Sequence, residues 1–387
     1  MSQKAIIIGA GIAGPLLAIQ LKRSGYEVEV YEARENDSKE GAFLGLTPNG
    51  VNVLKQYISI DLLQNEFVGG SMYFYNRKGK LIGELLTDYQ KKQYGAETIQ
   101  IKRWRLYELL HKAANDEGIT IHYNKRVVSV SETQKDVIVT LDDNTIVLGD
   151  MLFGCDGAFS AVRNTAFPSA DKPVYTKDIG TGGFAYLPEL NQQTAGLNMT
   201  FGERGFFGYG ISNKGEVWWF NNYYREKEPT KEEIRTVLDK EIRTYLLDLH
   251  KNDDPLFSKI ITASHQLSIY PVYDIPKLNQ WSTERICLIG DAAHATSPHV
   301  GQGASMAMED TVTVVKCLQE NRDTGTAFKK FQAIRQPRVE RIIKESRKSG
   351  DSKSKPSAIA TWFRDIFLKF FIKAQIKKVD WIYGYKP

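Results

Sequence analysis

The strongest constraint on the fold is a run near the amino terminus, AIIIGAGIAG, in which Gly9, Gly11 and Gly14 follow the uncharged Ala5–Ile8 with the spacing G-x-G-x-x-G. Four consecutive apolar residues read as a strand buried on both faces, and a helix is expected over Pro15–Ser24 with Gly25 as its stop. A second strand, Tyr26–Tyr31, ends at Glu32, about 20 residues past the glycines, which is where such units place an acid. The first glycine permits the turn, the second lets a pyrophosphate approach the backbone, and the third packs helix on strand. The unit therefore predicts a parallel sheet with a dinucleotide at its edge.

Ala5–Leu21 carries no charge and follows Lys4, so a leader peptide or short anchor is the competing reading. Its glycine density and the lack of an A-x-A-like site disfavour both. The 387 residues suffice for two or three domains, and 42% hydrophobic residues exclude a disordered chain. The net charge of +5 is not gathered into a basic block, so no nucleic-acid partner is expected. Cys155, Cys287 and Cys317 form no CxxC pair, which predicts no disulfide framework, no metal and a reducing, cytoplasmic setting.

Further along, a helix is expected near Pro48–Tyr57, a hairpin from Ser71–Arg77 and Lys80–Thr87, a helix over Leu106–Glu117 and two strands flanking Asp142-Asp143-Asn144. Val174–Tyr273 is rich in aromatic runs such as FFGYGI and VWWFNNYY and reads as an inserted antiparallel sheet. A second buried strand, Arg285–Gly290, leads into a glycine-rich turn and a helix, Ala304–Glu320. The expected fold is thus α/β, Rossmann-like over 1–70, 98–173 and 274–345, with a mainly antiparallel substrate domain from 71–97 and 174–273. The polar Ser346–Ser357 reads as a linker. Beyond it, 358–380 has Trp362, Phe363, Ile366, Phe367, Phe370 and Phe371 on one face of a basic amphipathic helix, expected to dock on the protein body rather than on a membrane or a second copy. Oligomeric state is left open.

The downstream turn is the second chemical signal: Gly290-Asp291-Ala292-Ala293-His294, then Pro298, then Gly301-Gln302-Gly303 at a helix start. A strand-end aspartate can bind a polyol hydroxyl, and a helix amino terminus offers free N–H groups and positive potential. Glu32 disfavours a 2′-phosphate, leaving FAD or NAD, and two glycine turns aimed at one ligand suit the longer molecule.

These marks, with the segment IKRWRLYELL containing Arg103 and the run CDGAFSAVR (Cys155–Arg163), resemble the class A flavoprotein monooxygenases, FAD-dependent aromatic hydroxylases that include salicylate-, hydroxynicotinate- and tetracycline-modifying enzymes. The match spans most of 1–350. The resemblance implies FAD held at Gly9, Gly11, Ile12, Ala13, Gly14, Glu32 and Ala33, by Arg103 and Asp291 along its chain, and by Val127 at the adenine end. It places Asp156-Gly157 at both FAD and the passing nicotinamide, and Gly290, Pro298, Gly301, Gln302, Gly303 and Ala304 at the turns nearest the ring. It further implies that NADH or NADPH reduces FAD transiently, and that a flavin C4a-hydroperoxide delivers one oxygen atom of O2 to an aromatic or polycyclic small molecule, antibiotics included.

Each residue has a plainer reading: a surface charge for Arg103, an internal ion pair for Asp156 and Arg163, structural roles for His294 and His299, and helix-dipole compensation for Glu309 and Asp310. No catalytic side chain is assigned. Strand alternation puts Phe207, Tyr209 and Ile211 on one face, and Phe207, Tyr209, Trp219, Pro298 and His299 are the expected substrate-pocket residues. Two departures from the family pattern are Thr311 after the Glu-Asp pair and an early loop, SKEGAFLGL, without an arginine, where Lys39 is the substitute cation. The competing functions are an epoxidase or reductase of the same fold acting on a lipid-like substrate, and a flavin-binding protein without turnover; a flavin halogenase is disfavoured because VWWFNN lacks the W-x-W-x-I pattern.

Overall fold

The computed structural model describes residues 2–35, 42–64, 69–190, 196–212, 214–265, 267–298, 301–350 and 379–387. Most of the expected amphipathic helix, Lys39 and His299 lie outside the described residues. Among the described residues no helix is long and apolar enough to cross a membrane.

The first sheet is five-stranded and parallel, in the order Ile286–Leu288, Met151–Gly154, Lys4–Ile8, Glu27–Tyr31, Thr120–His122. Ala5, Ile6, Ile7, Leu152, Phe153, Cys287 and Leu288 are all buried, in a core shared with helix residues such as Leu17, Val314 and Phe328 and with Val130, Val137 and Val139 of the strands that follow Thr120–His122. Helix Ala13–Arg23 packs against helix Gly303–Glu320, so the two glycine turns become neighbours although they are far apart in sequence. The chain runs outward from Lys4–Ile8 in both directions, which makes the carboxyl end of that strand the topological switch point.

The second sheet has seven strands, in the order Leu267–Asp274, Val174–Tyr186, Glu216–Tyr224, Phe206–Ile211, Leu197–Phe201, Met72–Asn76, Leu81–Leu85. It is antiparallel except where Leu197–Phe201 runs parallel to Met72–Asn76. A three-stranded antiparallel sheet (Val127–Glu132, Val137–Leu141, Ile146–Gly149) and a two-stranded one (Phe43–Leu46 with Ile99–Lys102) complete the strands among the described residues.

Two sequence expectations need correction. Val174–Tyr273 is not all sheet, since Lys231–Thr236, Leu238–Leu249 and Pro255–Ala263 are helices. Their signals are local: Thr230 and Glu233 form a capping box, Asp254 caps the helix that begins with Pro255, and Leu238, Ile242, Leu246 and Leu249 recur at helical spacing on the buried side. Likewise Ser346–Gly350 is not linker but the end of helix Thr324–Gly350, with Ser346 Oγ donating to Ser297 O at 2.9 Å.

Those helices decide the fate of one sheet face. Phe207, Ile211, Val217 and Trp219 point toward them and share a core with Ile242, Leu246, Phe257 and Ile260 of the helical layer. The other face turns toward the parallel-sheet domain.

Candidate active site

The three central strands deliver three turns to one place. Gly9 follows Ile8, Cys155-Asp156 follows Gly154, and Gly290 sits just beyond Leu288. Gly9 has φ +99°, and a Cβ there would lie 2.5 Å from the Cys155 carbonyl oxygen, so side chains are excluded on both counts. A Cβ on Gly14 would lie 1.9 Å from Gly9 O, whereas one on Gly11 would meet nothing within 4 Å. That difference matches the separate roles of the glycines: Gly9 and Gly14 are needed for packing, and Gly11 leaves backbone open to a ligand.

Helix Ala13–Arg23 begins after Ile12 with no side-chain cap, and helix Gly303–Glu320 begins after Gln302 in the same way. Both therefore present N–H groups suited to an anionic or electron-rich ligand atom. Asp291 is exposed, with Oδ1 3.8 Å from the point a Gly303 Cβ would occupy, so the Gly290 and Gly301–Ala304 turns adjoin. Gly301 closes its own turn with φ +60° and an N–H donated to Pro298 O at 2.9 Å.

Glu32 lies at the loop mouth, its Oε2 accepting from Ala10 N at 2.7 Å and its Oε1 from Arg34 N at 2.9 Å. Half-buried Ala33 follows it, and the main-chain oxygen of Glu32 accepts from Lys125 N at 2.9 Å, which brings the strand starting at Val127 alongside. His111, which sequence reasoning missed, steadies the loop: Nε2 donates to Ala10 O at 2.6 Å while the Tyr123 hydroxyl donates to Nδ1 at 3.0 Å. Arg103 opens helix Arg103–Asp116 and is exposed, while Arg105 is engaged with Glu108 at 2.6 Å. The Arg103 charge bears on Tyr270: burial raises that phenol and Arg103 opposes the rise.

Asp156 accepts from Val162 N at 3.1 Å through Oδ2, but its Oδ1 is buried with no hydrogen-bond partner among the described residues. Burial holds this carboxyl above the ordinary aspartate range. Arg163 does not serve mainly as its ion-pair partner. The guanidinium donates to Ala292 O at 2.7 Å and Ala158 O at 2.6 Å, fastening the Asp156-Gly157 turn to the Gly290 turn. An orphaned carboxylate oxygen, two uncapped helix starts and a backbone cradle closed to a Cβ at Gly9 and Gly14 and open at Gly11 fit a dinucleotide whose hydroxyl and phosphate groups supply the missing partners.

The aromatic assignment changes. Phe207 and Trp219 are 0% exposed, with their rings stacked 5.4 Å apart, Phe257 stacked on Phe207 at 4.5 Å, and Trp219 Nε1 donating to Ser264 Oγ at 2.7 Å. They are core residues of the helix-covered face, and Tyr209 shares that face. The opposite face carries Phe184, Phe206, Trp218 and Phe220 at alternating positions, with Gly182 and Gly208 between them. Phe43, from the two-stranded sheet, reaches this wall: its ring lies 6.4, 5.6 and 5.9 Å from Phe184, Trp218 and Phe220. Only a few residues beyond Phe43, Thr47 accepts from Gln302 Nε2 at 2.8 Å, so the aromatic wall and the start of helix Gly303–Glu320 are joined by one short strand. Phe184, Phe206 and Phe220 are half-buried, so this face keeps aromatic surface that the helix-covered face has lost.

Glu309 and Asp310 are also reassigned. Both are fully buried in the middle of their helix and ion-paired, so the dipole reading does not hold. His294 is buried with Nε2 2.6 Å from Asp310 Oδ2.

Such an array of strand-end turns defines a dinucleotide-binding protein of the parallel-sheet class. The family model described as the FAD binding domain matches residues 2–346, so the chain belongs to that family and is an FAD-dependent monooxygenase of the class A type. Its cofactor is FAD. It is 27% identical to the 6-hydroxynicotinate 3-monooxygenase of Pseudomonas fluorescens, over 94% of this chain and 92% of that protein. It is also 27% identical to the FAD-dependent urate hydroxylase of Klebsiella oxytoca, over 94% of both chains. Among solved structures, Klebsiella pneumoniae HpxO complexed with FAD and uric acid superposes with a TM-score of 0.80 at 24% identity, covering 94% of this chain and 92% of that one. Tetracycline destructase Tet(51) superposes with a TM-score of 0.71 at 20% identity over the whole of both chains. These relatives support an aromatic hydroxylase and do not favour a lipid reductase or a flavin-binding protein without turnover.

Proposed function

We propose that this protein consumes NADH or NADPH to insert one oxygen atom of O2 into an electron-rich aromatic or polycyclic small molecule. The observation that carries the reading is the joining of three strand-end turns and an uncapped helix start to a half-buried aromatic wall. When bound, FAD supplies two-electron redox chemistry and activation of O2, one oxygen passing to the substrate and the other leaving as water while the nicotinamide is oxidised.

The chain's own residues supply the rest. Gly9, Gly11, Ile12, Ala13 and Gly14 cradle the pyrophosphate, Glu32 and Ala33 meet the ribose, and Val127 closes the adenine end. Arg103, Asp156, Gly157, Gly290 and Asp291 hold the linking chain. Pro298 and Gly301 shape the turn, and the uncapped start of the helix at Gln302, Gly303 and Ala304 would stabilise negative charge developing at the ring through its N–H groups and dipole. Phe43, Phe184, Phe206 and Phe220 orient a flat substrate and exclude water from the reacting oxygen.

The test is nicotinamide oxidation and oxygen uptake by flavin-loaded protein, with and without a panel of phenols, N-heteroaromatics and tetracyclines. Stimulation by one compound whose product gains a single oxygen atom is the expected result. Tight FAD binding with no oxygenated product from any aromatic class overturns the reading.

A further inference from the structure

Helix Gly303–Glu320 carries two adjacent buried carboxylates, and each is tied to a different turn of the cofactor site. Asp310 Oδ2 accepts the main-chain N–H of Gly290 at 3.0 Å. Glu309 Oε1 accepts from Asn49 Nδ2 at 2.6 Å, and the same Asn49 Nδ2 donates to Gln302 Oε1 at 3.0 Å. Two neighbouring buried charges persist only when paired. Two arginines of helix Thr324–Gly350 do this: Arg335 Nε donates to Asp310 Oδ1 at 2.7 Å, while Arg338 Nε and Nη2 donate to the two Glu309 oxygens at 2.9 and 2.7 Å.

The segment 379–387 holds Arg338 from its other side and covers Arg335, which is also held by Glu309 Oε2 at 2.7 Å and Met306 O at 3.3 Å. Arg338 Nη1 donates to Trp381 O and Nη2 to Ile382 O, both at 3.0 Å, so its fork is shared between Glu309 and the carboxyl-terminal turn. The Tyr385 ring lies 3.8 Å from Arg338 Cζ and 5.5 Å from Arg335 Cζ, covering both guanidiniums at once. Arg341 Cζ sits 3.8 Å over the Trp381 ring, and the Tyr94 hydroxyl donates to Asp380 Oδ1 at 2.5 Å. Asn52, in the same short helix as Asn49, donates to Tyr94 O at 2.8 Å and closes the circuit.

We infer that residues 379–387 are a positioning element of the cofactor site, fixing the Gln302 turn through Arg338, Glu309 and Asn49 and the Gly290 turn through Arg335 and Asp310. Without the segment, water reaches the two guanidiniums and weakens their hold on the carboxylates, since charge–charge coupling falls as the local dielectric rises. Glu309 and Asp310 then lose the geometry that keeps both turns in place. The inference rests on the reading that these turns hold FAD.

The test compares full-length protein with a chain ending at Asp380, and with Tyr385→Ala and Tyr385→Phe. The readouts are FAD affinity of the apoprotein by fluorescence titration and the two-electron midpoint potential of the bound flavin. A purely structural tail lowers the unfolding temperature and leaves both readouts of the folded protein unchanged. The expected result is FAD binding weakened about tenfold by truncation, the scale of a hydrogen bond to a charged group, with a displaced potential. Tyr385→Ala should follow the truncation, and Tyr385→Phe, which keeps the ring over the guanidiniums, should match wild type. FAD affinity within about twofold of wild type in the folded truncated chain, at an unchanged potential, overturns the inference; a factor of two is only about 0.4 kcal/mol. If the truncated chain does not fold, equal behaviour of Tyr385→Ala and Tyr385→Phe overturns it. Asp291→Ala separates the two levels: flavin loss there with none on truncation defeats only the positioning role, whereas full flavin retention in Asp291→Ala defeats the reading of the turns themselves.

Discussion

On the proposed reading, the two sheets of this protein would meet their ligands by different means. At the parallel sheet the contacts would be mostly backbone, set by the glycine turns and two helix starts, and side chains are forbidden at Gly9, Gly14 and Gly290. At the seven-stranded sheet the contacts are side chains, and the two faces carry nearly the same aromatic complement. Phe207 and Trp219 on one face and Trp218 and Phe220 on the other differ only in what covers them. A backbone site is therefore specified locally, while a side-chain site is specified by whichever helices happen to take the competing face.

The largest effect that tests this contrast is expected at the turns. Asp291→Ala should leave the fold intact and yield protein largely without flavin, read from the visible absorbance of the purified protein, because the carboxylate is exposed and lies outside the packed core. Full yellow occupancy would remove Asp291 from the cofactor site. Next comes the pair that separates the sheet faces. Trp219→Ala should cost about 3–5 kcal/mol of stability, as large-to-small changes in a packed core do, with flavin content per folded molecule unchanged. Phe220→Ala should leave stability much less affected and weaken substrate binding about tenfold, or about 1.4 kcal/mol. If the two variants exchange these phenotypes, the assignment of faces is wrong.

The same contrast governs what was legible in the sequence. The glycine spacing, Glu32 and the Gly290–Gly303 block could be read directly, because turns closed to any Cβ leave glycine as the record of the geometry. Alternation correctly grouped Phe207, Tyr209 and Ile211, yet period two says nothing about which face a distant helix will cover. The helical spacing of Leu238, Ile242, Leu246 and Leu249 carried that information and was obscured by the aromatic strands around it. Glu309 and Asp310 were harder still, since their meaning depends on Arg335, Arg338 and Tyr385, and three-dimensional ion pairing leaves no spacing rule in the chain. Two acids in the interior of an otherwise apolar helix face were the available signal, because buried charges persist only when paired.

Two buried acids near the turns should respond to pH in opposite senses. For Asp310, burial alone would raise the pKa, but His294 and Arg335 outweigh it and hold the carboxyl below its ordinary value. Its contribution to stability is complete above the ordinary aspartate pKa of about 3.9 and is lost as pH falls through the lower folded value. For Asp156 the folded pKa is raised by burial, so the folded state binds the proton more tightly and stability declines as pH rises between the ordinary and folded values. Asp156→Asn should accordingly raise the unfolding midpoint of the apoprotein at pH 7, and the gain should vanish in denaturation curves taken below pH ~3.9. A gain that persists in acid would mean that the carboxylate is not the source.

The smallest expected effect bears most finely on the division between faces. Tyr209 shares the helix-covered face with Phe207 and Trp219, its ring 6.2 Å from Phe257, and burial pushes its phenol up to about 12. The hydroxyl therefore stays protonated through the working pH range and cannot act as an anionic base there. Tyr209→Phe keeps the ring and its packing, so stability should change by less than about 1 kcal/mol, the net worth of an ordinary hydrogen bond, and the substrate KM should not move. A KM raised severalfold with kcat unchanged would place the Tyr209 hydroxyl against substrate. The pocket would then reach around the strand Phe206–Ile211 toward the helices, and the two faces would no longer be separate in function.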